Sequence, residues 1–348
     1  MLEGGRLIGQ GRFGCVFDTL PTCSSRARTV RTGRYVKNRT VAGRGTTRRV
    51  AKLMSLDDPT VPIEIETSRQ IRKIPHYADY FIVIEDFCEG DDITGDADWE
   101  ECRLFSPDHR KMPTFMQLRM ANGGVKLSDF SRNINAILAI WLPLQIHVFE
   151  GLRMMHTRRI VHGDLHAGNI LVDNSGVARI VDFGLSYNLD RLKEKDTVSL
   201  TFMPTYDNYP PEMDLLAALK KGIEVRQAIE IIYTEKRILI EIEELFPSRY
   251  TVVQDLANFA QRFEIKTGAD VKQFIQTFGR ATDIWTLGYN FLRIYLIMIS
   301  TPVVVESDFY KQHHRDQMRL LAGLLAVDPR RRFRVDDALT QLYSMRMD

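Results

Sequence analysis

The chain has 348 residues, 44% of them hydrophobic and 26% charged, with a formal net charge of +2. That length is enough for two lobes with cores of their own. The composition excludes a disordered or fibrous chain, and the near-neutral balance gives no electrostatic ground for nucleic-acid binding. The four cysteines are Cys15, Cys23, Cys88 and Cys102, with no Cys-x-x-Cys pair. A chain of this size needs no disulfide frame, so a reducing compartment is expected, with Cys15 as a small apolar filler. Met1–Arg6 holds no apolar run of signal-peptide length. The apolar stretches Ile134–Ile146 and Leu287–Ile299 are too short to span a bilayer and read as buried helices.

In chain order, residues 6–9 and 15–18 read as two short strands around the glycine turn Gly9-Gln10-Gly11-Arg12-Phe13-Gly14. Residues 48–54 read as a third strand, buried on both sides. Ile63–Ile74 is predicted helical, with Pro75 at its end. Tyr80–Phe87 and Phe115–Met120 are apolar runs of strand length. After Asn122-Gly123-Gly124 the pattern turns helical, beginning with Ile134–His156, which contains Pro143. Ile170–Val172 and Ala178–Val181 read as a hairpin around Asn174-Ser175-Gly176, and Asp336–Tyr343 as a closing helix.

Three segments stand out by charge or length. Residues 21–49 hold nine Lys/Arg and no acid; residues 85–101 hold nine Asp/Glu and no base. Both are expected at one end of the N-terminal sheet, away from a nucleotide, so that the charges face each other or are separately solvated. Residues 213–279 form a long insertion with helical apolar spacing over Ile223–Leu245, stopped by Phe246-Pro247. That face demands burial, and the insertion is expected on the outside of the C-terminal lobe, as a docking element or a structural ornament.

Five motifs fall in one order: the glycine turn, Val50-Ala51-Lys52-Leu53, His162-Gly163-Asp164-Leu165-His166-Ala167-Gly168-Asn169, Asp182-Phe183-Gly184 and Pro210-Pro211-Glu212. Each alone is weak; glycine-rich hairpins and strand lysines that reach solvent are common. Downstream lie Asp283-Ile284-Trp285-Thr286-Leu287-Gly288 and Asp328-Pro329-Arg330-Arg331-Arg332 with Ala338-Leu339. Together, from Gly9 to Leu339, they resemble the eukaryotic-type protein kinases, serine/threonine kinases in particular. The resemblance implies an α+β bilobal fold: an N-lobe over residues 1–121, a small antiparallel sheet with one helix, and a mainly helical C-lobe over 122–348.

It also implies roles. Gly9, Gly11 and Gly14 bring backbone N–H groups to the phosphates of ATP, while Ile8, Val16, Ala51 and the hinge residues Arg119, Met120 and Ala121 surround the nucleotide. Lys52 holds the α- and β-phosphates and is itself held by a helix glutamate. Glu64 and Glu66 both qualify; Glu64 is favoured because Ile65 and Ile71 then face inward beside it. Asp164 takes or orients the proton of the acceptor hydroxyl, and Asn169 and Asp182 hold Mg²⁺. Arg332 pairs with Glu212. His162 reads as structural support beneath its loop rather than a metal ligand.

Two departures stand in the loop around Asp164. Gly163 replaces the arginine that reads activation-segment phosphorylation in many kinases, and His166 replaces a lysine usual in serine/threonine kinases. The same loop is similar to that of aminoglycoside- and choline-type small-molecule kinases. With Tyr209-Pro210-Pro211-Glu212 and the short helix around Glu64, it also looks similar to kinases of large nucleocytoplasmic DNA viruses, which implies a host-cell or virion setting. The expected partner is a protein substrate, with neither nucleic acid nor membrane; the alternatives are a small-molecule kinase and a pseudokinase scaffold.

Overall fold

The structure is a computed structural model and describes residues 6–11, 14–18, 28–29, 49–90, 101–102, 115–193, 200–247, 251–262 and 265–347. The chain divides into two compact units. One comprises Met1–Gly124 with Arg179–Ser186; the other comprises Val125–Ala178 with Tyr187–Asp348.

The first unit is built on an antiparallel six-stranded sheet. Its strands are β1 (Leu7–Gln10), β2 (Gly14–Phe17), β3 (Arg28–Thr29), β4 (Arg49–Ser55), β5 (Asp86–Gly90) and β6 (Phe115–Ala121), in the spatial order β1-β2-β4-β6-β5-β3. Val50–Met54 are buried without interruption, as expected of a central strand with both faces covered. Helix α1 (Thr60–Ile71) turns Val61, Glu64, Thr67, Ser68 and Ile71 inward. Those residues recur at three and four, the period of one helical face.

The apolar run Tyr80–Phe87 does not form the expected strand. Tyr77–Tyr80 is a single helical turn, α2, and Phe81–Ile84 is extended and buried at every position. Its backbone is satisfied piecemeal: Ile82 N–H donates to Ile180 O, Ile84 N–H to Ser68 Oγ and Glu85 N–H to Arg119 O. An unbroken apolar run records burial on all sides, and here that burial comes without a ladder over 82–85.

Cys15 is not a reduced filler. It forms a disulfide with Cys102, 87 residues away, and Cys88 is disulfide-bonded too. The Cys15–Cys102 bridge lies within the apolar cluster of Phe17, Ala51, Leu53 and Phe115. The expectation of reduced thiols in this chain is therefore corrected: a chain long enough to fold without cross-links still uses one to fasten β2 to the segment before β6.

Most of the two charged stretches lies outside the described residues, but the strand register fixes where they depart. β4 starts at Arg49, opposite Ala121, and β3 pairs with β5 at Asp86 and Phe87. β5 ends at Gly90, opposite Phe115, where β6 begins. The connection that follows β5 therefore leaves from the end of the sheet opposite to Arg49, six residues or about 20 Å of strand away. Whether the two stretches face each other falls on residues outside those described. Among the described residues, Arg49 lies 3.1 Å from Glu85 and 2.5 Å from Asp86.

The second unit is helical around two long elements. After β7 (Val125–Lys126) and the short α3 (Leu127–Phe130) comes α4 (Ile134–Thr157), whose Pro143 lies within the helix without ending it. At 24 residues α4 is longer than the apolar stretch that announced it, and by length and composition it could cross a bilayer. Its buried side chains, including Trp141, Phe149 and Leu152, make it a core helix of this unit. β8 (Ile160–Val161), a 3₁₀ turn at Ala167–Asn169 and β9 (Ile170–Val172) follow. β9 pairs with β7, and β10 (Ala178–Ile180) passes from this unit into the first. β11 (Tyr187–Asn188) pairs with β8.

The remaining elements are α5 (Pro211–Lys220), α6 (Val225–Glu235), α7 (Arg237–Leu245), α8 (Val252–Ala260), α9 (Gly268–Ile299), α10 (Pro302–Val305), α11 (Asp308–Leu324) and α12 (Val335–Met347). The insertion is helical, as its spacing requires, but Ile223–Leu245 is two helices broken at Lys236. In α9, Phe291 packs edge-on against Trp141 and Phe149 of α4.

Candidate active site

In the first unit, Lys52 stands mid-strand in β4, paired with Val16 of β2 and Leu118 of β6. Its side chain is 9% exposed, and Nζ lies 2.8 Å from Glu64 Oε2 and 2.7 Å from Asp182 Oδ1. A buried ammonium is tolerated where carboxylates replace its water. Burial works to discharge Lys52, but the Glu64 and Asp182 carboxylates outweigh it and hold the amine charged far above its ordinary range. Burial pushes Glu64 up to about 7; Lys52 opposes this and the nearby Asp182 adds to it. Two carboxylates thus share one cation, and the buried Glu64 takes a proton more readily than an ordinary glutamate. Glu66 is turned outward to Arg69, so of the two candidates only Glu64 reaches Lys52.

Asp182 adopts φ 63°, a left-handed conformation uncommon outside glycine. Phe183 beside it is buried, edge-on to Phe81, and fixes the segment from behind. The glycines of the turn serve different ends. A Cβ on Gly14 would lie 2.1 Å from Leu53 O, so Gly14 lets β2 approach β4. A Cβ on Gly11 would meet nothing within 4 Å. Its N–H is spent within the turn, donating to Gly14 O at 2.9 Å. Ala51 is buried, Val16 half-buried and Ile8 44% exposed. Of the hinge residues, Arg119 is committed to the sheet: its carbonyl accepts from Glu85 and its guanidinium lies 3.5 Å from Asp86. Met120 is buried and Ala121 half-buried at the end of β6.

In the second unit, Asp164 and Asn169 lie on one loop. Asn169 Nδ2 donates to Asp164 O at 2.8 Å, which orients its Oδ1 as an oxygen donor for a cation. His166 Nδ1 accepts from Gly168 N–H, so Nε2 bears the proton, and Nε2 lies 3.6 Å from Asp164 Oδ2. His162 is buried and its Nδ1 accepts from Asp164 N–H, which is support beneath the loop. Gly163 has φ 80°, so the residue in place of the usual arginine also meets a backbone need.

The loop is held from α9. Asp283, 1% exposed, accepts from His162 N–H and Gly163 N–H at 2.9 Å each and lies 3.0 Å from His156 Nε2. Asn290 Oδ1 accepts from Ala167 N–H, while its Nδ2 donates to Asn208. Sequence reasoning identified the motif containing Asp283 but not this role, and it missed Asn290. A polar residue seven positions after a buried aspartate, two helical turns along one face, was the available signal.

Farther along, Glu212 and Arg332 form a two-pronged ion pair closed off from water. Arg332 also donates to the carbonyls of Ala281 and Ala326, and its guanidinium lies 5.0 Å from the Trp285 ring centroid.

Oxygen donors dominate the residues singled out for metal: the carboxylate of Asp182 and the amide oxygen of Asn169. That chemistry fits a hard, partly hydrated cation such as Mg²⁺ and not zinc.

A family model described as the protein kinase domain matches residues 143–344, more than half of the chain. Among individual proteins, the chain is 28% identical over 200 residues to the mitogen-activated protein kinase sty1 of Schizosaccharomyces pombe, covering 56% of this chain and 50% of that one. It is 27% identical over 221 residues to spm1, a mitogen-activated protein kinase of the same yeast, covering 61% and 48%. It is 24% identical over 201 residues to a serine/threonine-protein kinase of Kluyveromyces lactis, covering 54% and 28%. The chain thus spans between about a quarter and a half of the length of these curated relatives.

Proposed function

The chain belongs to the protein kinase family, and from that premise we propose that it transfers the γ-phosphoryl group of ATP to serine or threonine hydroxyls of protein substrates. The observation that carries the reading is the Lys52 ammonium held between Glu64 and Asp182. A degenerate scaffold has no need to bury such a charge at this position.

In the proposed reaction Lys52 draws charge from the α- and β-phosphates, and the N–H groups of the glycine turn bind phosphate oxygens. Asp164 orients the acceptor hydroxyl and takes its proton as the oxygen attacks the γ-phosphorus. The bond from that phosphorus to the bridging β–γ oxygen breaks, and ADP leaves with the electron pair. Asp182 and Asn169 would hold Mg²⁺, which when bound neutralises the phosphate oxygens. Asn169 also keeps the Asp164 loop in shape through its bond to the Asp164 carbonyl.

The loop His162–Asn169 favours a second reading, a small-molecule kinase of the same fold. Against it stands the Glu212–Arg332 pair, which belongs to protein-kinase architecture. The narrower relation to kinases of large DNA viruses, with a host-cell or virion setting, is proposed on the motifs alone; the disulfide requires that such a setting let thiols oxidise.

The test is transfer of labelled phosphate from Mg·ATP to casein, to an aminoglycoside and to choline, followed by acid hydrolysis of the labelled protein. Label on phosphoserine and phosphothreonine is expected. Label on a small molecule alone would favour the second reading, and label on neither, with no ATP turnover, would mean a scaffold.

A further inference from the structure

We propose that Lys236, in the insertion, is a positioning residue for the acceptor: it fixes the backbone of Met203–Tyr209 beside the Asp164 loop, in place of a phosphate on the activation segment. The proposal rests on the reading of a protein acceptor given above.

Lys236 is fully buried, and so is its partner Asp214, 3.0 Å away. An apolar side chain of the same length would fill this space without desolvating two charges, so the pair needs another reason. Its geometry supplies one. Lys236 Nζ donates to Tyr206 O at 2.7 Å, and Asp214 Oδ1 accepts from Met203 N–H at 2.9 Å. One ion pair therefore grips both ends of the turn Met203–Tyr206, which is closed by a bond from Tyr206 N–H to Met203 O.

The helix break is part of the same grip. Lys236 separates α6 from α7 with φ −90° and ψ 91°, and the first turn of α7 donates Ile238 N–H to Asp207 Oδ1. Continuous helix over Ile223–Leu245 would spend that N–H on its own ladder. The opposite side of the segment is held by α9: Trp285 Nε1 donates to Asp207 O and Thr286 Oγ1 to Asn208 O. Asn290 then joins Asn208 to Ala167, three residues from Asp164.

The segment matters because of what its side chains meet. Tyr206 is 39% exposed, and burial, followed by the negative charge of Asp164, pushes its phenol up to about 12. The residue whose carbonyl Lys236 holds thus presents a partly exposed ring from a segment that Asn290 ties to the Asp164 loop, on a surface an incoming acceptor chain would touch. Kinases that depend on a phosphate order this part of the chain by pairing it with an arginine. Here Gly163 stands where that arginine would be, and an ion pair built into the fold holds the segment permanently.

The test compares wild type, Lys236→Met, and Lys236→Met combined with Asp214→Asn. The double variant leaves no unpaired buried charge, and the amide oxygen it introduces at position 214 can still accept from Met203, so it carries the test if the single variant does not fold. Casein is the acceptor, and amide hydrogen exchange of residues 203–209 is read in parallel. The double variant is expected to keep the wild-type thermal shift with Mg·ATP, to raise KM for casein about tenfold with a smaller change in kcat, and to exchange these amides faster. Wild-type KM and wild-type exchange in the double variant would overturn the proposal. If wild type labels no protein at all, the protein-acceptor reading fails, and exchange alone decides the role of Lys236. Faster exchange upholds the grip and unchanged exchange removes it.

Discussion

Arg332 and Glu212, 120 residues apart, meet through two parallel hydrogen bonds, Nη1 to Oε1 at 2.6 Å and Nη2 to Oε2 at 2.8 Å, with neither side chain exposed. The pair ties the start of α5 to the turn before α12, and three further carbonyls take the remaining N–H groups of Arg332. Removing one partner leaves a buried charge alone. Glu212→Leu is expected to cost about 3–5 kcal/mol, whereas Glu212→Leu with Arg332→Met should recover part of that loss. Urea midpoints of the three proteins measure the difference. A double variant no more stable than the single would show that the carbonyl contacts of Arg332, rather than the charge pair, hold this region.

Asp164→Asn is expected to lower kcat about 10²–10⁴-fold with little change in Mg·ATP affinity, because the amide keeps the shape but cannot take the acceptor proton. Turnover near that of wild type would remove Asp164 from the proton-transfer role. The Mg·ATP thermal shift is the control that the variant is folded and binds nucleotide.

The Glu64 carboxyl gives a pH signature. Its native pKa is raised, to about 7 from the ordinary 4.5, so the folded state binds its proton more tightly than the unfolded chain does. The stability this contributes is fully present below about 4.5 and is lost as pH rises through about 7. Glu64→Gln has no such proton to lose. Stability of wild type relative to Glu64→Gln should therefore fall as pH rises across that window, by up to a few kcal/mol, at about 1.4 kcal/mol per pKa unit. A difference that stays flat with pH, or rises, would contradict the assignment.

Treatment with a phosphatase is expected to leave most activity toward casein, since Gly163 provides no cation to read a phosphate and Lys236 already holds the segment. A loss of more than about tenfold on dephosphorylation, restored by rephosphorylation, would assign that reading to another basic residue.

Replacing Cys15 and Cys102 together by alanine is expected to cost about 2–5 kcal/mol. The pair closes a loop of 87 residues in the unfolded chain and fills an apolar cluster in the folded one. Urea midpoints of the two proteins under non-reducing conditions check this, and equal midpoints would show that the bridge adds nothing to the fold. The double variant is preferable to a reductant, which would also open the disulfide at Cys88.

What was legible in the sequence follows from how local the physical demand is. Lys52 in an apolar strand and Asp164 five residues before Asn169 could be singled out because the ordered motifs that carry the kinase resemblance include them. The kinase resemblance placed the partner of Lys52 among the glutamates of α1, Glu64 or Glu66, and burial picks Glu64. The strand read at Tyr80–Phe87 failed because apolarity reports burial and not hydrogen bonding. The pairing of Cys15 with Cys102 was out of reach, since spacing carries no information about which of four cysteines meet. Lys236 was hidden for a related reason. A lysine between two amphipathic stretches looks like a solvated helix position, and only the tertiary path of Met203–Asn208 reveals what its ammonium touches.

The Cys15–Cys102 bridge makes a covalent ring of the chain from β2 to the residues before β6, with Lys52 and Glu64 inside it. A protease that cuts one peptide bond anywhere between residues 16 and 101 opens that ring without releasing a fragment. The nicked protein would run as a single species under non-reducing denaturing electrophoresis and as two after reduction. Integrity of the first unit judged from a non-reducing gel would therefore be overestimated, and proteolytic mapping of this region has to be done with the sulfurs reduced.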